Sequence, residues 1–201
     1  TKFEVFEKNK NPDEADYKEA INMARNQTDR LSHVIDILLE MTELQSAPKG
    51  DKISLSEITE EVICDLVAVA DKKHISLIQE DCEARLTGSD TLVYRAIYNL
   101  IENAIKYNKE GGTVSVAIAE DDSFAKVIIT DTGSGIAKED WDKIFEPFFR
   151  VDKSRSRSMG GAGLGLALVK EIAVRHGGDV KVIESSNKGS SIELSLSKNN
   201  N

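Results

Sequence analysis

Apolar residues recur at two different spacings along the chain, and the spacing changes near residue 50. From Ala15 to Gln45 the apolar and small positions alternate three and four residues apart, which is typical of a helix in a bundle or coiled coil. These seam positions are Tyr17, Ile21, Ala24, Thr28, Leu31, Ile35, Leu38 and Thr42. The preceding FEVFEK has the pattern of a helix end, and NKNPDEAD supplies a turn. Residues 1–46 are therefore predicted to form a partial helical hairpin, followed by a linker at 47–53.

Residues 54–198 mix helical and strand-like patterns and are predicted to form a second domain. One helix is capped by Ser54 or Ser56, another runs from Asp90 to about Tyr107, and a third follows a group of glycines. Alternating patterns predict strands in HISLIQE, TVSVAIAE, SFAKVIITD, DVKVIES and SSIELSLS. Helices interleaved with mostly antiparallel strands favour an α+β fold, a two-layer α/β sandwich with helices on one face of the sheet. The irregular stretch from Thr132 to Gly161 has the length of a lid or binding loop.

Composition and charge narrow the classes of partner. The 201 residues are 40% hydrophobic and 30% charged, as in an ordinary soluble globular protein. A formal net charge of -9 works against nucleic acid or an anionic membrane as a partner. No segment approaches the roughly 18 to 20 apolar residues of a membrane span, and no secretory signal opens the chain. Cys64 and Cys82 lack metal-site spacing, which favours buried thiols in a reducing compartment and predicts a cytoplasmic location.

The segment GGAGLGLALVKEIA, from Gly160 to Ala173, is the first candidate for chemistry. Glycine lowers helix stability, so a cluster of glycines at a helix start favours close approach of the backbone to a ligand, with phosphate the first candidate. The common phosphate fingerprints do not match, because GxGxxG would need glycine at Leu166 and no GK[ST] is present. The segment alone therefore leaves the ligand open.

Two further patterns each allow a structural and a functional interpretation. On the helix that begins at Asp90, Asn99, Asn103 and Lys106 fall within a sector of about 60° beside the apolar face. They form either a solvated face or a site where an asparagine oxygen completes a Mg²⁺ shell and lysine neutralises phosphate. Asp131, followed by TGSGI, either belongs to a simple turn or accepts a hydrogen bond from an exocyclic amine, which would distinguish adenine from guanine.

Four motifs in this order resemble those of the sensor histidine kinases of bacterial two-component systems, whose ATP-binding domain belongs to the superfamily of gyrase and the mismatch-repair ATPases. NLIENAIKY (99–107) resembles the N box and DTGSGI (131–136) the first glycine box. FEPFF (145–149) resembles the F box and GAGLGL (161–166) the second glycine box. The resemblance covers about residues 52–197, and the helix before it resembles the second helix of the dimerisation and phosphotransfer bundle of this family.

The resemblance implies ATP and Mg²⁺ as cofactors and assigns a role to each motif. Asn99, Lys106 and Tyr107 would line the nucleotide site, while Asn103 would hold Mg²⁺ and Asp131 would accept the adenine amine. Among the basic residues, Arg150 and, second to it, Arg155 would bind the transferring phosphate region. The catalytic group would comprise Asn99, Lys106 and Arg150, and the remaining nucleotide-binding positions would be Gly133, Gly135, Ile136, Phe145, Gly161, Gly163, Leu164 and Gly165.

The glycines at 161, 163 and 165 would form the hinge of a mobile ATP lid and present backbone N–H groups to the triphosphate. We therefore expect the stretch from Ala137 to Met159, which contains the single tryptophan Trp141, to be mobile without nucleotide and ordered with it.

One position bears on the choice between hydrolysis and transfer. Members of the superfamily that hydrolyse ATP carry a general-base glutamate four residues before the Mg²⁺ asparagine, and Asn99 stands there in this chain. Asparagine cannot take a proton from water at neutral pH. Glu102 is rotated about 100° from Asn103 around the helix, so we expect it to face solvent. Hydrolysis as the main activity is disfavoured.

The acceptor histidine of the family lies in a motif such as HE[LI]RTPL, and this sequence does not contain one. Its three histidines are His33, His74 and His176. We predict structural roles for all three, with a positively inclined His176 beside the negative end of a helix dipole and glycine as the C-cap. The sequence is therefore expected to be a fragment that lacks the acceptor.

The resemblance implies that the parent protein transfers the γ-phosphoryl group of ATP to a histidine and passes it on to a response regulator receiver domain. It also implies a homodimer through the helical bundle in the parent, with neither nucleic acid nor membrane contacted by this fragment. Two alternatives stay open at this point: a nucleotide-gated binding module without turnover, and an anti-sigma-type serine kinase of the same superfamily.

Overall fold

The structure is a computed structural model that describes residues 13–43, 50–80, 82–151 and 163–199. The predicted helix end before residue 13 and residues 47–49 of the predicted linker lie outside these ranges. The second domain begins at Asp51, three residues earlier than its sequence pattern indicates, because residues 51–54 form a strand rather than a linker.

The elements follow the predicted alternation of helices and strands. The helices are α1 (Glu14–Glu43), α2 (Leu55–Asp71), α3 (Asp90–Lys106) and α4 (Gly165–Arg175). The strands are β1 (Asp51–Ser54), β2 (Ser76–Gln79), β3 (Arg85–Gly88), β4 (Thr113–Glu120), β5 (Phe124–Asp131), β6 (Asp179–Ser186) and β7 (Gly189–Ser197). Two short 3-10 helices, Lys138–Asp140 and Lys143–Phe145, interrupt the irregular stretch.

Five strands form the main sheet in the order β2-β4-β5-β7-β6. Only the β2–β4 pair is parallel, and the other neighbours in this sheet are antiparallel. Alternate residues of β4 and β5, such as Val116 and Val127, are buried in the same core as Leu100 of α3 and Leu168 of α4. Helices therefore cover one face of a mostly antiparallel sheet, which confirms the predicted two-layer α+β sandwich.

The amphipathic pattern of α3 explains how it positions polar side chains. Its buried residues are Leu92, Val93, Ala96, Ile97, Leu100, Ile101, Ala104 and Ile105. Lys73, in the turn after α2, stabilises the end of this helix: its Nζ donates hydrogen bonds to the carbonyl oxygens of Lys106 at 2.6 Å and Ile105 at 3.2 Å. These bonds satisfy two carbonyls that an α-helix leaves without a partner at its C-terminus. The end of α3 is therefore fixed by a buried apolar face and by a cation from another element.

His176 links the end of α4 to the start of α3. Its Nδ1 lies 2.8 Å from the carbonyl oxygen of Ile172, and its Nε2 accepts the backbone N–H of Ser89 at 3.1 Å. A ring that accepts at Nε2 and donates at Nδ1 is neutral. The prediction of a positively inclined His176 is therefore wrong, because the second ring nitrogen is used as a buried acceptor. The following Gly177 has φ 65°, in agreement with the predicted glycine C-cap.

Replacing His176 with alanine is expected to lower the free energy of unfolding by about 3 kcal/mol. The change leaves the buried Ser89 N–H without an acceptor and opens a void in the core. Urea denaturation followed by circular dichroism measures the loss. Exposed His74, which has φ 53°, provides the control: His74→Asn keeps a residue that tolerates this backbone conformation and should change stability little. Equal stability of the two variants would contradict the structural role of His176.

The two cysteines do not lie where the sequence pattern predicts them. Cys64 and Cys82 are free and exposed. Helix α2 buries Leu55, Thr59, Val62, Leu66 and Ala70, so Cys64 falls outside the buried stripe. Cys82 precedes β3 in an irregular segment. The expectation of buried thiols is therefore wrong for both residues.

None of the described helices combines the length and the apolar character that a membrane span requires.

Candidate functional site

A cavity of about 520 Å³ lies between α3, the turn after β5, the end of the F-box segment and the start of α4. It brings together ten of the predicted site residues, namely Asn99, Asn103, Lys106, Tyr107, Asp131, Gly135, Ile136, Arg150, Gly163 and Gly165. These residues come from the N box, the two glycine boxes and the position directly after the F box, although they are up to 66 positions apart in sequence (99 to 165). Apolar side chains, including Leu100, Ile129 and Ile192, complete the wall.

Asp131 is held in place by two hydrogen bonds. Its Oδ1 accepts the backbone N–H of Gly133 at 2.7 Å, and its Oδ2 accepts the hydroxyl of Ser190 at 2.7 Å. Each carboxylate oxygen has more than one lone pair, so a second donor can still be accepted. The side chain is thus a fixed acceptor beside the apolar wall formed by Ile129 and Ile192. This arrangement suits a flat heterocycle with an exocyclic amine.

Gly133 and Gly135 allow the chain to turn next to Asp131. A Cβ on Gly133 would lie 2.5 Å from the carbonyl oxygen of Tyr107, and one on Gly135 would lie 1.8 Å from that of Ser186. Gly135 also has φ 72°. Any larger residue at either position would have to displace backbone, so these glycines are needed for the shape of the turn.

The wall formed by α3 carries the predicted polar stripe. Asn99, Asn103 and Lys106 all line the cavity, which favours the functional interpretation of the stripe over that of a simple solvated face. The amide nitrogen of Asn99 donates to the carbonyl oxygen of Arg95 at 2.9 Å, and this bond fixes the orientation of the side chain. A Cβ on Gly165 would lie 2.6 Å from Asn99 Oδ1. Only glycine at this position lets the first turn of α4 approach the stripe so closely.

The N-terminus of α4 faces this cavity. Its N-cap residue is Leu164, whose side chain makes no capping hydrogen bond. The cavity is lined by Gly163 and Gly165 on either side of that residue. The N–H groups of the first turn of a helix and the positive end of its dipole favour an anion there. The arrangement therefore supports the predicted phosphate contact of the second glycine box.

The F-box segment and the second glycine box are joined directly. The N–H of Phe148 donates to the carbonyl oxygen of Gly163 at 2.8 Å. Phe148 has φ 65° and Gly163 has φ 74°, so both residues use the left-handed region that is uncommon for side chains other than glycine. Phe149 and Arg150, next in sequence, line the cavity. This backbone contact places Arg150 near the start of α4.

Burial lowers the pKa of Lys106, and the positive charges of Arg150 and Lys73 act in the same direction. Glu102 opposes this shift by stabilising the charged ammonium group. The Nζ atom also lies 5.6 Å from the centre of the Tyr107 ring, within the range of a cation–π contact. Burial raises the pKa of Tyr107. Lys106 is thus a partly desolvated cation, which interacts more strongly with an anionic ligand than an exposed lysine does.

Several predicted site residues do not line the cavity. Phe145 and Leu164 are absent from the cavity wall, and their apolar side chains are buried in the hydrophobic core. Gly133 acts through its hydrogen bond to Asp131. Arg155 and Gly161 lie outside the described residues.

The irregular stretch is partly packed against the domain. Trp141 Nε1 donates to the carbonyl oxygen of Ile136 at 3.2 Å, and the ring packs against the core. The first half of the stretch expected to be mobile thus has defined contacts, whereas residues 152–159 are not described. Since Ile136 lines the cavity, Trp141 remains a suitable fluorescence reporter of its occupancy.

Ser190 and Glu102 are among the cavity residues that sequence reasoning missed. Ser190 reaches Asp131 because β7 pairs with β5, with Ser191 opposite Thr130. The hairpins are evident from the alternating pattern, but their order in the sheet is not, so no local pattern indicates this contact. The expectation that Glu102 faces solvent is wrong. It lies about 60° from Asn99 around the helix, and the cavity wall extends that far.

The donors on α3 fit a Mg²⁺ ion that binds together with a polyphosphate. The described residues contain no group of three or more histidine, cysteine, aspartate or glutamate side chains arranged to hold a metal ion. Asn103 provides an uncharged amide oxygen at the cavity wall. Mg²⁺ commonly takes only one or two protein ligands and completes its octahedron with phosphate oxygens and water. The chemistry of the site therefore suits metal delivered with the nucleotide.

Residues 88–200 match the family described as histidine kinase-, DNA gyrase B-, and HSP90-like ATPases. The chain is 38% identical over 171 residues to the sensor-like histidine kinase SenX3 of Mycolicibacterium smegmatis. This alignment covers 83% of this chain and 44% of SenX3. It is 31% identical over 180 residues to the sensor histidine kinase WalK of Bacillus subtilis, covering 87% of this chain and 30% of that protein. The chain thus spans less than half the length of these curated relatives.

Solved structures show the same architecture. The mycobacterial sensor histidine kinase MprB aligns with a TM-score of 0.65 and 27% identity, covering 76% of this chain and 99% of that one. The histidine kinase ThkA, solved in complex with the response regulator protein TrrA, aligns with a TM-score of 0.74 and 24% identity over 98% of this chain and 55% of that one. The second likeness extends across α1 as well as the sandwich domain.

Proposed function

Because this chain belongs to the family of histidine kinase-, DNA gyrase B- and HSP90-like ATPases, we propose that it is the ATP-binding catalytic part of a sensor histidine kinase. In the parent protein it would transfer the γ-phosphoryl group of ATP to a histidine for relay to a response regulator. One observation carries the proposal: a single cavity joins a fixed carboxylate acceptor, Asp131, to a cationic end formed by Lys106 and Arg150. The named relatives are sensor kinases, which disfavours a serine kinase or a binding module without turnover.

Asp131 is proposed to recognise adenine. The apolar wall would hold the base, and the carboxylate would accept its exocyclic amine. Guanine presents a carbonyl oxygen at the equivalent position. This oxygen and the carboxylate are both hydrogen-bond acceptors, so no hydrogen bond would form between them. The hydrogen bond from Ser190 keeps the carboxylate in this orientation without a ligand, so little side-chain entropy is lost on binding.

The phosphates are proposed to lie between α3 and the N-terminus of α4. Lys106 and Arg150 would neutralise charge on the transferring group, while the N–H groups after Leu164 would bind phosphate oxygens. Asn103 would hold Mg²⁺, which when bound supplies neutralisation of the β- and γ-phosphates. Asn99, oriented by its bond to Arg95, would border the same region.

The proposed transfer needs no general base at the position of Asn99. A neutral histidine ring nitrogen of the acceptor attacks the γ-phosphorus through its own lone pair, and the bond to the bridging oxygen of the β-phosphate breaks to release ADP. Attack by water, in contrast, requires loss of a proton. Asparagine at this position therefore suits transfer to histidine better than it suits hydrolysis.

Helix α1 is proposed to pair with a second copy in the bundle of the parent protein. Four of its described seam positions are more than half exposed: Tyr17 at 52%, Ile21 at 66%, Leu31 at 63% and Ile35 at 56%. An apolar seam of this period ordinarily packs against other helices. The proposed response regulator partner is supported by the ThkA structure, which contains TrrA, and we place the catalytic part in the cytoplasm, where ATP is available.

The experiment that tests the proposal is phosphoryl transfer from γ-labelled ATP to a separately supplied helical fragment that carries an acceptor histidine. The expected product is acid-labile phosphohistidine on that fragment. ATP binding without transfer to any such fragment would contradict the proposal.

A further inference from the structure

Glu102 is a carboxylate on the wall of the nucleotide cavity that the proposed mechanism does not use. It is half-buried, and it forms no hydrogen bond and no ion pair within 4.0 Å with the residues that the structure describes. The only other carboxylate lining the described cavity, Asp131, is engaged by Gly133 and Ser190. Among the described residues, Glu102 is therefore a negative charge without a direct partner on the wall of the proposed nucleotide site.

The position of Glu102 on α3 shows which part of the ligand it would meet. At about 100° per residue, Glu102 lies about 40° from Lys106 and about 100° from Asn103 around the helix axis. Its charge acts on the ammonium group of Lys106, in opposition to Arg150 and Lys73. Glu102 is therefore at the phosphate end of the cavity, on the side of the lysine and away from the proposed metal ligand.

The described charges lining the cavity cancel. Lys106 and Arg150 contribute two positive charges, while Glu102 and Asp131 contribute two negative ones. Metal-free ATP carries about four negative charges near neutral pH, whereas Mg²⁺-ATP carries about two. Because Coulomb energy scales with the product of the charges, a fixed carboxylate opposes the metal-free form about twice as strongly.

We propose that Glu102 is a specificity-determining residue that makes the cavity select Mg²⁺-bound over metal-free nucleotide by repelling excess phosphate charge. The inference rests on the proposed function. It assigns Glu102 neither a metal contact nor a proton-transfer role, since the helix geometry turns its side chain away from Asn103. The consequence is that the protein responds to ATP chiefly when the nucleotide is competent for phosphoryl transfer.

The test is calorimetric titration of the wild-type chain and Glu102→Gln with ATP, once with excess Mg²⁺ and once with EDTA. Loss of the charge should raise the affinity for metal-free ATP about tenfold and that for Mg²⁺-ATP about threefold, so the preference for the metal-bound form falls about threefold. Glu102→Asp keeps the charge and should keep most of the preference. Glu110→Gln removes an exposed carboxylate outside the cavity and should change neither affinity.

A ligand series in EDTA separates charge from structure. The gain in affinity on Glu102→Gln should grow from AMP to ADP to ATP, while adenosine, which has no phosphate, should bind both proteins equally. A uniform change for all four ligands, or an unchanged ratio between the two forms of ATP, would overturn the inference. Wild-type protein that binds neither form would overturn the proposed function itself, and this inference with it.

Discussion

Asp131→Asn is expected to weaken ATP binding by about a hundredfold and to remove the preference for ATP over GTP. Both carboxylate oxygens already accept a hydrogen bond, from Gly133 and from Ser190. An amide has only one oxygen, so its NH₂ group either faces the Gly133 N–H or the adenine amine, which are donors, or makes the Ser190 hydroxyl turn and accept. Loss of a hydrogen bond to a charged group, together with a donor facing a donor, accounts for the size of the effect. Calorimetry with ATP and GTP measures both quantities.

Ser190→Ala provides the matched control for this prediction. It keeps the carboxylate and removes only the hydroxyl that orients it, so the expected loss of ATP affinity is about fivefold, with selectivity for adenine retained. Trp141 fluorescence should report ATP binding to this variant, because the indole N–H of Trp141 donates a hydrogen bond to the carbonyl oxygen of Ile136 at the cavity wall. Equal affinity of the wild type for ATP and GTP, or full affinity in Asp131→Asn, would show that Asp131 does not recognise adenine.

Asn103→Ala is expected to reduce phosphoryl transfer by about a thousandfold while it leaves adenosine binding unchanged. The side chain lies at the cavity wall on α3, away from Asp131, and its amide oxygen is the proposed protein ligand of Mg²⁺. Transfer depends on neutralising the β- and γ-phosphates, so a misplaced metal ion affects the rate far more than the binding of the base. Single-turnover transfer and adenosine calorimetry give the two readouts.

Removing Mg²⁺ tests the same assignment in a second way. EDTA should lower the phosphoryl-transfer rate of the wild type to about that of Asn103→Ala. The rate of the variant should fall little further in EDTA, because both changes remove the same interaction, that between Asn103 and Mg²⁺. Independent and multiplicative losses would contradict a role for Asn103 in holding the metal ion.

Much of the fold could be predicted because its elements have strong local patterns. Helix α3 has a clear apolar face, and each of the two C-terminal strands alternates over part of its length, so both the elements and the two-layer class follow from periodicity. Strands β1 and β3 were not predicted, since each has four residues and their pairing joins segments more than thirty residues apart. Pairing between distant short strands depends on tertiary packing, which local patterns do not encode.

The candidate site could be predicted where its residues lie on the same helix. The stripe from Asn99 to Lys106 follows from helix geometry alone, whereas the contact between Ser190 and Asp131 depends on strand order. For Glu102 the angle from Asn103 was the wrong reference, because the cavity is also lined by Asn99 and Lys106, which lie about 60° and 40° from Glu102 around the helix. The apolar residues Phe145 and Leu164 were assigned to the site through the motifs that contain them, and neither lines the cavity.

The central claim is that this cavity catalyses phosphoryl transfer to histidine on another segment. The most direct measurement incubates the chain with γ-labelled ATP and Mg²⁺, alone and with a helical fragment carrying an HE[LI]RTPL-type motif, and then tests the acid and base stability of the label. We predict acid-labile, base-stable label on the supplied fragment and none on the chain itself, with no transfer to a fragment whose motif histidine is alanine. Label that persists on the chain alone and disappears in His33→Ala, or ATP binding without transfer to any such fragment, would contradict the account.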